Sequence, residues 1–183
     1  MRKYLILFGL ALLCQCHYKK KTNMKHSFNF QTQYNQFYIV DKENKSEFDP
    51  GSYWSEEAYD AKLALANGFA AIGTHSYGNI KGEIELLQTP PEHIDYKLFD
   101  NIVEGGINIS SGELQILDCP NSEVEFSLKV HPGKYRLRVY GSNFASVKEP
   151  DLPHDTDNDF YRIEIWPDSN MDRKILKQHI GHY

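Results

Sequence analysis

The sequence predicts a mainly β protein, an antiparallel β-sandwich with one short helix. Three observations predict it. Runs of alternating apolar and polar residues recur along the chain, as half-buried strands require. Turn-forming residues separate those runs at short intervals. Aromatics are abundant, with 12 Tyr and 10 Phe, and such residues suit a pleated surface.

The clearest alternation lies between Glu123 and Pro167. Val124, Phe126, Leu128 and Val130 alternate with Glu125, Ser127 and Lys129. Tyr135, Leu137 and Val139 repeat the pattern against Arg136 and Arg138, and Tyr161, Ile163 and Ile165 against Arg162 and Glu164. Each run buries one face and wets the other. His131-Pro132-Gly133-Lys134 lies between the first two. Proline pre-sets φ in a tight turn and glycine accepts a positive φ. The reading is an antiparallel hairpin followed by a third strand of the same core.

Residues 1–16 resemble a bacterial lipoprotein signal. Arg2 and Lys3 form a positive n-region, and Tyr4 to Leu13 an apolar h-region too short to span a membrane. Cys16, or alternatively Cys14, would be acylated with palmitate-type chains and become the first residue of the mature protein. Residues 17–27 then read as a basic tether, 28–167 as the sandwich and 168–183 as a C-terminal tail. The expected location is the cell envelope, with the membrane held through the lipid. Translation from Met24 would instead give a cytoplasmic protein.

Charge bounds the partners. The formal net charge is −5; cleavage before Cys16 removes Arg2 and Lys3 and no acid, giving −7. A start at Met24 also removes Lys19, Lys20 and Lys21, giving −10. A direct nucleic-acid binder needs a basic face to displace counterions. An acidic protein more readily meets a basic protein partner. Cys119 alone lies in the domain, so no intrachain disulfide framework is expected. It reads as a buried thiol, since no activating base stands beside it.

From the N-terminus, Phe28, Phe30, Thr32 and Tyr34 alternate with Asn29, Gln31 and Gln33 as a first strand. Phe37 to Val40 continue or pair with it after Asn35-Gln36. Asp49-Pro50-Gly51 signals a turn. Ser55 can cap a helix with Glu56 and Glu57 in its first turn, where the dipole favours acids. Ala58 to Ala66 extend it, and Gly68 is placed to end it. Phe69 to Thr74 and Ile80 to Leu86 read as strands. Shorter candidates are Tyr96 to Val103, Ile107 to Ile109 and Leu114 to Leu117, punctuated by Gly105-Gly106 and Gly112. The tail is expected to make one helical turn or two around Met171, Ile175 and Leu176.

Chemistry is hard to find. Asp155, Asp157 and Asp159 are spaced like the start of a calcium loop, but Phe160 stands where glycine is needed and Trp166 where a glutamate is needed. His179 and His182 lack further ligands at zinc spacing. Glu83 and Glu85 share a strand face, an arrangement that more often keeps a strand soluble than supplies an acid and a base. The glycines from Gly68 to Gly82 are not spaced as a phosphate-binding loop. No cofactor, metal or catalytic residue is expected. The candidate partner-binding residues are Glu149, Asp151, Asp155, Asp157 and Asp159 on a long acidic loop, with Trp54 and Trp166 as aromatic anchors.

Tyr34-Asn35-Gln36-Phe37-Tyr38-Ile39-Val40-Asp41, followed by Trp54-Ser55-Glu56-Glu57 and Gly68-Phe69-Ala70, resembles the opening of the competence protein J-like inhibitors. The Gly133-Lys134-Tyr135-Arg136-Leu137 strand fits the same plan. The resemblance covers roughly Phe28 to Pro167, and the leader and long acidic loop depart from it. It implies a non-catalytic inhibitor or immunity-type protein, since that family binds and inhibits a DNA-entry nuclease. The competing expectation is an envelope lipoprotein that binds a glycan or envelope component through an exposed aromatic. A hydrolase with an unrecognised site ranks last.

Overall fold

The computed structural model describes residues 24–44 and 53–181. The lipoprotein-like segment with Cys14 and Cys16, the tether up to residue 23, the Asp49-Pro50-Gly51 turn and His182 lie outside the described residues.

The elements run β1 (Met24–Gln31), β2 (Gln36–Asp41), α1 (Glu56–Ala61), β3 (Leu63–Ala66), β4 (Phe69–Gly73), β5 (Asn79–Leu86), β6 (Asn101–Ile109), β7 (Glu113–Leu117), β8 (Val124–Lys129), β9 (Gly133–Ser142), β10 (Phe160–Pro167) and β11 (Lys174–Lys177). One sheet has the order β1-β5-β10-β9-β6-β11, the other β3-β4-β2-β7-β8. They pack face to face around a core that includes Phe37, Ile39, Leu63 and Ile72 from one sheet and Ile84, Val103, Leu137 and Ile163 from the other. This is the expected β-sandwich with a short helix. One pairing differs from a purely antiparallel plan: β10 lies parallel to β5, Phe160 opposite Lys81 and Ile165 opposite Leu86.

The hairpin expected around His131-Pro132-Gly133 is a crossover. β8 pairs with β7 in the smaller sheet, whereas β9 pairs with β6 and β10 in the larger one. Leu128 and Leu137 enter the same core from opposite sides, with Phe126 and Val130 partly buried against it, whereas Val124 at the start of β8 is exposed. Period-two patterning reports which face is buried and not which strand is the partner.

The helix is shorter than its composition predicts. Ser55 caps it, its side chain accepting from the Ala58 N–H, and Glu56 and Glu57 fill the first turn. Lys62 then enters the left-handed region at φ 55° and ends it. Leu63–Ala66 becomes β3, antiparallel to β4 around Gly68 at φ 67°. Sheet pairing overrides the helical preference of Leu and Ala here, as tertiary context does with propensity. Gly105 and Gly106, expected to separate strands, lie inside β6. A Cβ on Gly105 would stand 2.6 Å from the Leu65 side chain, and one on Gly106 2.3 Å from the Met171 backbone. The tail forms β11 instead of a helical turn, antiparallel to β6. β1 begins at Met24, earlier than the expected end of the tether.

The centre of the outward face of the larger sheet is not wet. Glu104, Arg136, Arg138 and Glu164 are buried. Glu104 accepts from Arg136 Nε at 2.8 Å and Arg138 Nε at 2.6 Å. Arg136 also donates to the backbone carbonyls of Asn170 and Asp172, which ties the tail across this face. Glu83 and Glu85 meet Lys25 and Arg162 on the same face.

Candidate functional site

A cleft of about 800 Å³ opens at one end of the smaller sheet. Its floor is the outward face of β2, where Gln36 and Tyr38 point away from the central core. A short polar chain fixes that floor. The Trp54 indole N–H donates to Gln36 Oε1 at 2.7 Å. Gln36 Nε2 and Tyr38 Oη then donate to the Cys119 sulfur at 3.4 and 3.0 Å. Burial and the hydrogen bond to Cys119 push the Tyr38 phenol well above its ordinary range. The buried thiol expected at Cys119 is thus an acceptor in the wall of the cleft.

The walls are aromatic. Trp54 stacks on Tyr59 with ring centroids 4.9 Å apart and an interplanar angle of 26°. Across the cleft Tyr34 meets Tyr77 edge-to-face at 6.3 Å. Gly73 lies against the indole, where a Cβ would be in ordinary contact with the Trp54 ring.

The backbone around the cleft is held in an uncommon state. Among the described residues five non-glycine residues have positive φ, and four of them line this cleft: Tyr34 at 57°, Asn35 at 52°, Lys62 at 55° and Ser122 at 57°. Asn tolerates this region; Tyr, Lys and Ser do so at a cost on the order of 1 kcal/mol each. Such conformations concentrate at functional sites. Tertiary bonds hold them. The Thr32 hydroxyl donates to the Gln36 carbonyl at 2.5 Å and accepts from the Cys119 N–H at 3.0 Å. The Asn35 side chain donates to the Pro150 carbonyl at 2.9 Å, clasping the acidic loop to the mouth of the cleft.

The expected site residues separate into two groups. Asp151 and Trp54 line the cleft together. Glu149 and Asp155 are exposed on the loop beside it, with Glu149 Oε2 3.1 Å from His154 Nε2. Asp157 is half-buried and accepts from the His154 N–H at 3.0 Å, shaping the loop. Asp159 and Trp166 do not belong to this surface. Asp159 is 1% exposed and accepts from the Ser76 N–H, the Ser76 hydroxyl and the Tyr161 hydroxyl. Its carboxylate anchors the base of the loop. Trp166 is 2% exposed on the outward face of the larger sheet, with the Arg138 guanidinium 5.1 Å over its ring.

Sequence reasoning missed Tyr34, Gln36, Tyr38, Lys62 and Tyr77 as site residues. One signal was present: Asn35-Gln36 interrupts the alternation between the first two apolar runs, and the turn there builds one wall. Among the described residues no group of three His, Cys, Asp or Glu is arranged to hold a metal ion. His179 packs its ring edge-on against His75 at 5.2 Å.

No family model matches this chain, and no curated protein sequence matches it. Two solved structures share its architecture. One is ComJ, the inhibitor of the DNA degrading activity of NucA from Bacillus subtilis, at a TM-score of 0.60 and 16% identity. That match covers 80% of this chain and 99% of ComJ. The fold is that of ComJ. The other, the crocagin biosynthetic gene J protein, matches at a TM-score of 0.53 and 16% identity, again over 80% of this chain and 99% of its own. The architecture implied by the resemblance to competence protein J-like inhibitors is the architecture found.

Proposed function

We propose that this chain is a non-catalytic protein-binding module, an inhibitor or immunity-type protein directed against a basic nuclease or toxin. One observation carries this reading. The ComJ-like sandwich presents an aromatic cleft, held by strained backbone, beside a row of exposed carboxylates. Neutral aromatic walls give contact area at small entropic cost, and the carboxylates select a positively charged surface. The binding residues in this reading are Trp54 and Asp151 in the cleft with Glu149 and Asp155 outside it. Asp157 shapes the loop.

Affinity capture from the host's lysate and envelope fraction tests it. The expected product is a basic nuclease or toxin that elutes with salt and loses activity when the chain is added back. Capture of a glycan alone would overturn it.

The Trp54–Tyr59 stack favours a second reading, an envelope protein that lays a glycan ring against the exposed Tyr59 and the half-buried Trp54. In either reading we place the protein at the envelope, anchored through acylated Cys16 or Cys14, with a cytoplasmic form if translation starts at Met24. Every described strand is present in both forms, because β1 begins at Met24. Mass spectrometry of the membrane fraction, comparing the wild type with Cys16→Ser and Cys14→Ser, tests the anchor.

A further inference from the structure

We propose that the cleft is a receptor for an arginine that the partner presents on a loop. The inference rests on the inhibitor reading and names the chemistry of its anchor. Four tyrosines and a tryptophan line the cleft. Their ring faces carry negative potential, which attracts a cation laid over them. Asp151 stands at the mouth, and Glu149 and Asp155 extend the negative field along the loop. The opposing charge in the lining is Lys62. Its ammonium lies 5.8 Å from the ring of Phe144, a residue of the central core, and its side chain is buried rather than projecting into solvent.

Arginine fits this environment better than lysine. Its guanidinium is planar and weakly hydrated, stacks on aromatic faces and pairs with a carboxylate in the same pose. An ammonium would give up a tight hydration shell to enter an aromatic cleft. A volume of about 800 Å³ exceeds one side chain and leaves room for the loop that carries it.

The two tryptophans make the test direct. Trp54 lines the cleft, whereas Trp166 is buried on the other sheet and serves as an internal reference. The chain, labelled with nitrogen-15, is titrated with N-acetyl-arginine amide, N-acetyl-lysine amide and the uncharged isostere N-acetyl-citrulline amide. The expected result is a saturable shift of the Trp54 indole resonance with arginine, a weaker one with lysine and none with citrulline, while Trp166 stays still. Asp151→Asn weakens arginine binding by about threefold. Tyr34→Asn removes a ring but keeps a residue that tolerates the left-handed backbone, and it abolishes the shift while the other resonances hold their places.

A Trp54 response equal for arginine and citrulline, no saturable response, or a response to neutral oligosaccharides alone overturns the proposal. Its failure is separable from that of the inhibitor reading. A captured nuclease whose affinity is unchanged by Asp151→Asn and Tyr34→Asn sinks the arginine receptor and leaves the inhibitor standing. Saturable arginine binding without any nuclease target does the reverse.

Discussion

His75 sits in the loop after β4 with its ring flat against Phe144, centroids 4.6 Å apart. Burial, with the nearby charges of Lys62 and His179, pushes its imidazole down to about 4; Asp159 and Asp100 pull weakly the other way. The unfolded chain takes up a proton near the ordinary 6.5, but the folded chain resists until about 4. Between those values the unfolded state binds more protons. Its stability contribution is therefore complete above about pH 6.5 and lost as pH falls toward 4, a loss of about 3 kcal/mol. Urea unfolding at pH 7 and pH 4.5 should show most of that loss in the wild type. A His75→Phe variant, which keeps a ring against Phe144, should be flatter across the same window. Asp41 titrates in a different range. Burial works to raise its carboxyl, but the hydroxyls and N–H groups of Ser110 and Ser111 outweigh it and hold the group below its ordinary range. It accepts from the Ser110 N–H at 2.9 Å and the Ser111 N–H at 3.1 Å, closing the β6–β7 turn. Asp41→Ala should cost about 2–3 kcal/mol at neutral pH by urea unfolding, without altering the cleft.

At the scale of elements, the tail depends on a missing side chain. Residues 168–173 cross β6 at Gly106, where a Cβ would stand 2.3 Å from Met171 Cα and 2.9 Å from the Asn170 carbonyl oxygen. The obstacle is backbone, so no rotamer change relieves it. Gly106→Ala should lift the tail off the sheet, free the Arg136 bonds to the Asn170 and Asp172 carbonyls and leave the two-sheet core intact. Limited proteolysis should then cut between 168 and 181, where the wild type resists. A tail equally protected in the variant would show that the Arg136 bonds hold it without the close approach. This crossing also explains where the sequence was silent. Alternation at Arg136, Arg138 and Glu164 reads as a solvated face, because charged residues usually face water. Here Glu104 pairs with both arginines, Glu164 adds a second carboxylate beside Arg138 and the tail carbonyls accept from Arg136, so residues with polar sequence character became interior ones. The β8–β9 crossover was illegible for a related reason: a buried face is a local property, whereas the choice of sheet is a long-range one. Helix α1 was legible at its start, where a cap acts locally, and not at its end, where β3 pairs with β4.

The cleft is a property of the whole molecule. Its lining comes from the β1–β2 turn, α1, the end of β4, the β7–β8 turn and the acidic loop, segments far apart in sequence. No spacing rule joins Tyr34 to Trp54 or Cys119 to Pro150, so the sequence revealed the acidic loop and one tryptophan but not the concavity between them. Within that loop it could not separate outward carboxylates from the inward Asp159, since burial depends on Ser76 and Tyr161. The two parts of the site should leave different kinetic signatures. The chain carries −5 overall, and the exposed carboxylates Glu149, Asp151 and Asp155 stand together on the loop beside the cleft. Long-range attraction of this kind accelerates encounter and is screened beyond a Debye length of about 10 Å at 0.1 M salt. Surface plasmon resonance with the captured basic partner should therefore show kon falling by about tenfold or more between low and high salt. Glu149→Gln with Asp155→Asn should lower kon and flatten its salt dependence while leaving koff nearly unchanged. Tyr34→Asn should raise koff and leave the salt dependence of kon intact, because ring contacts form only after docking. A kon indifferent to salt would remove the acidic loop from recognition. A Tyr34→Asn variant with unchanged koff would place the contact outside the cleft.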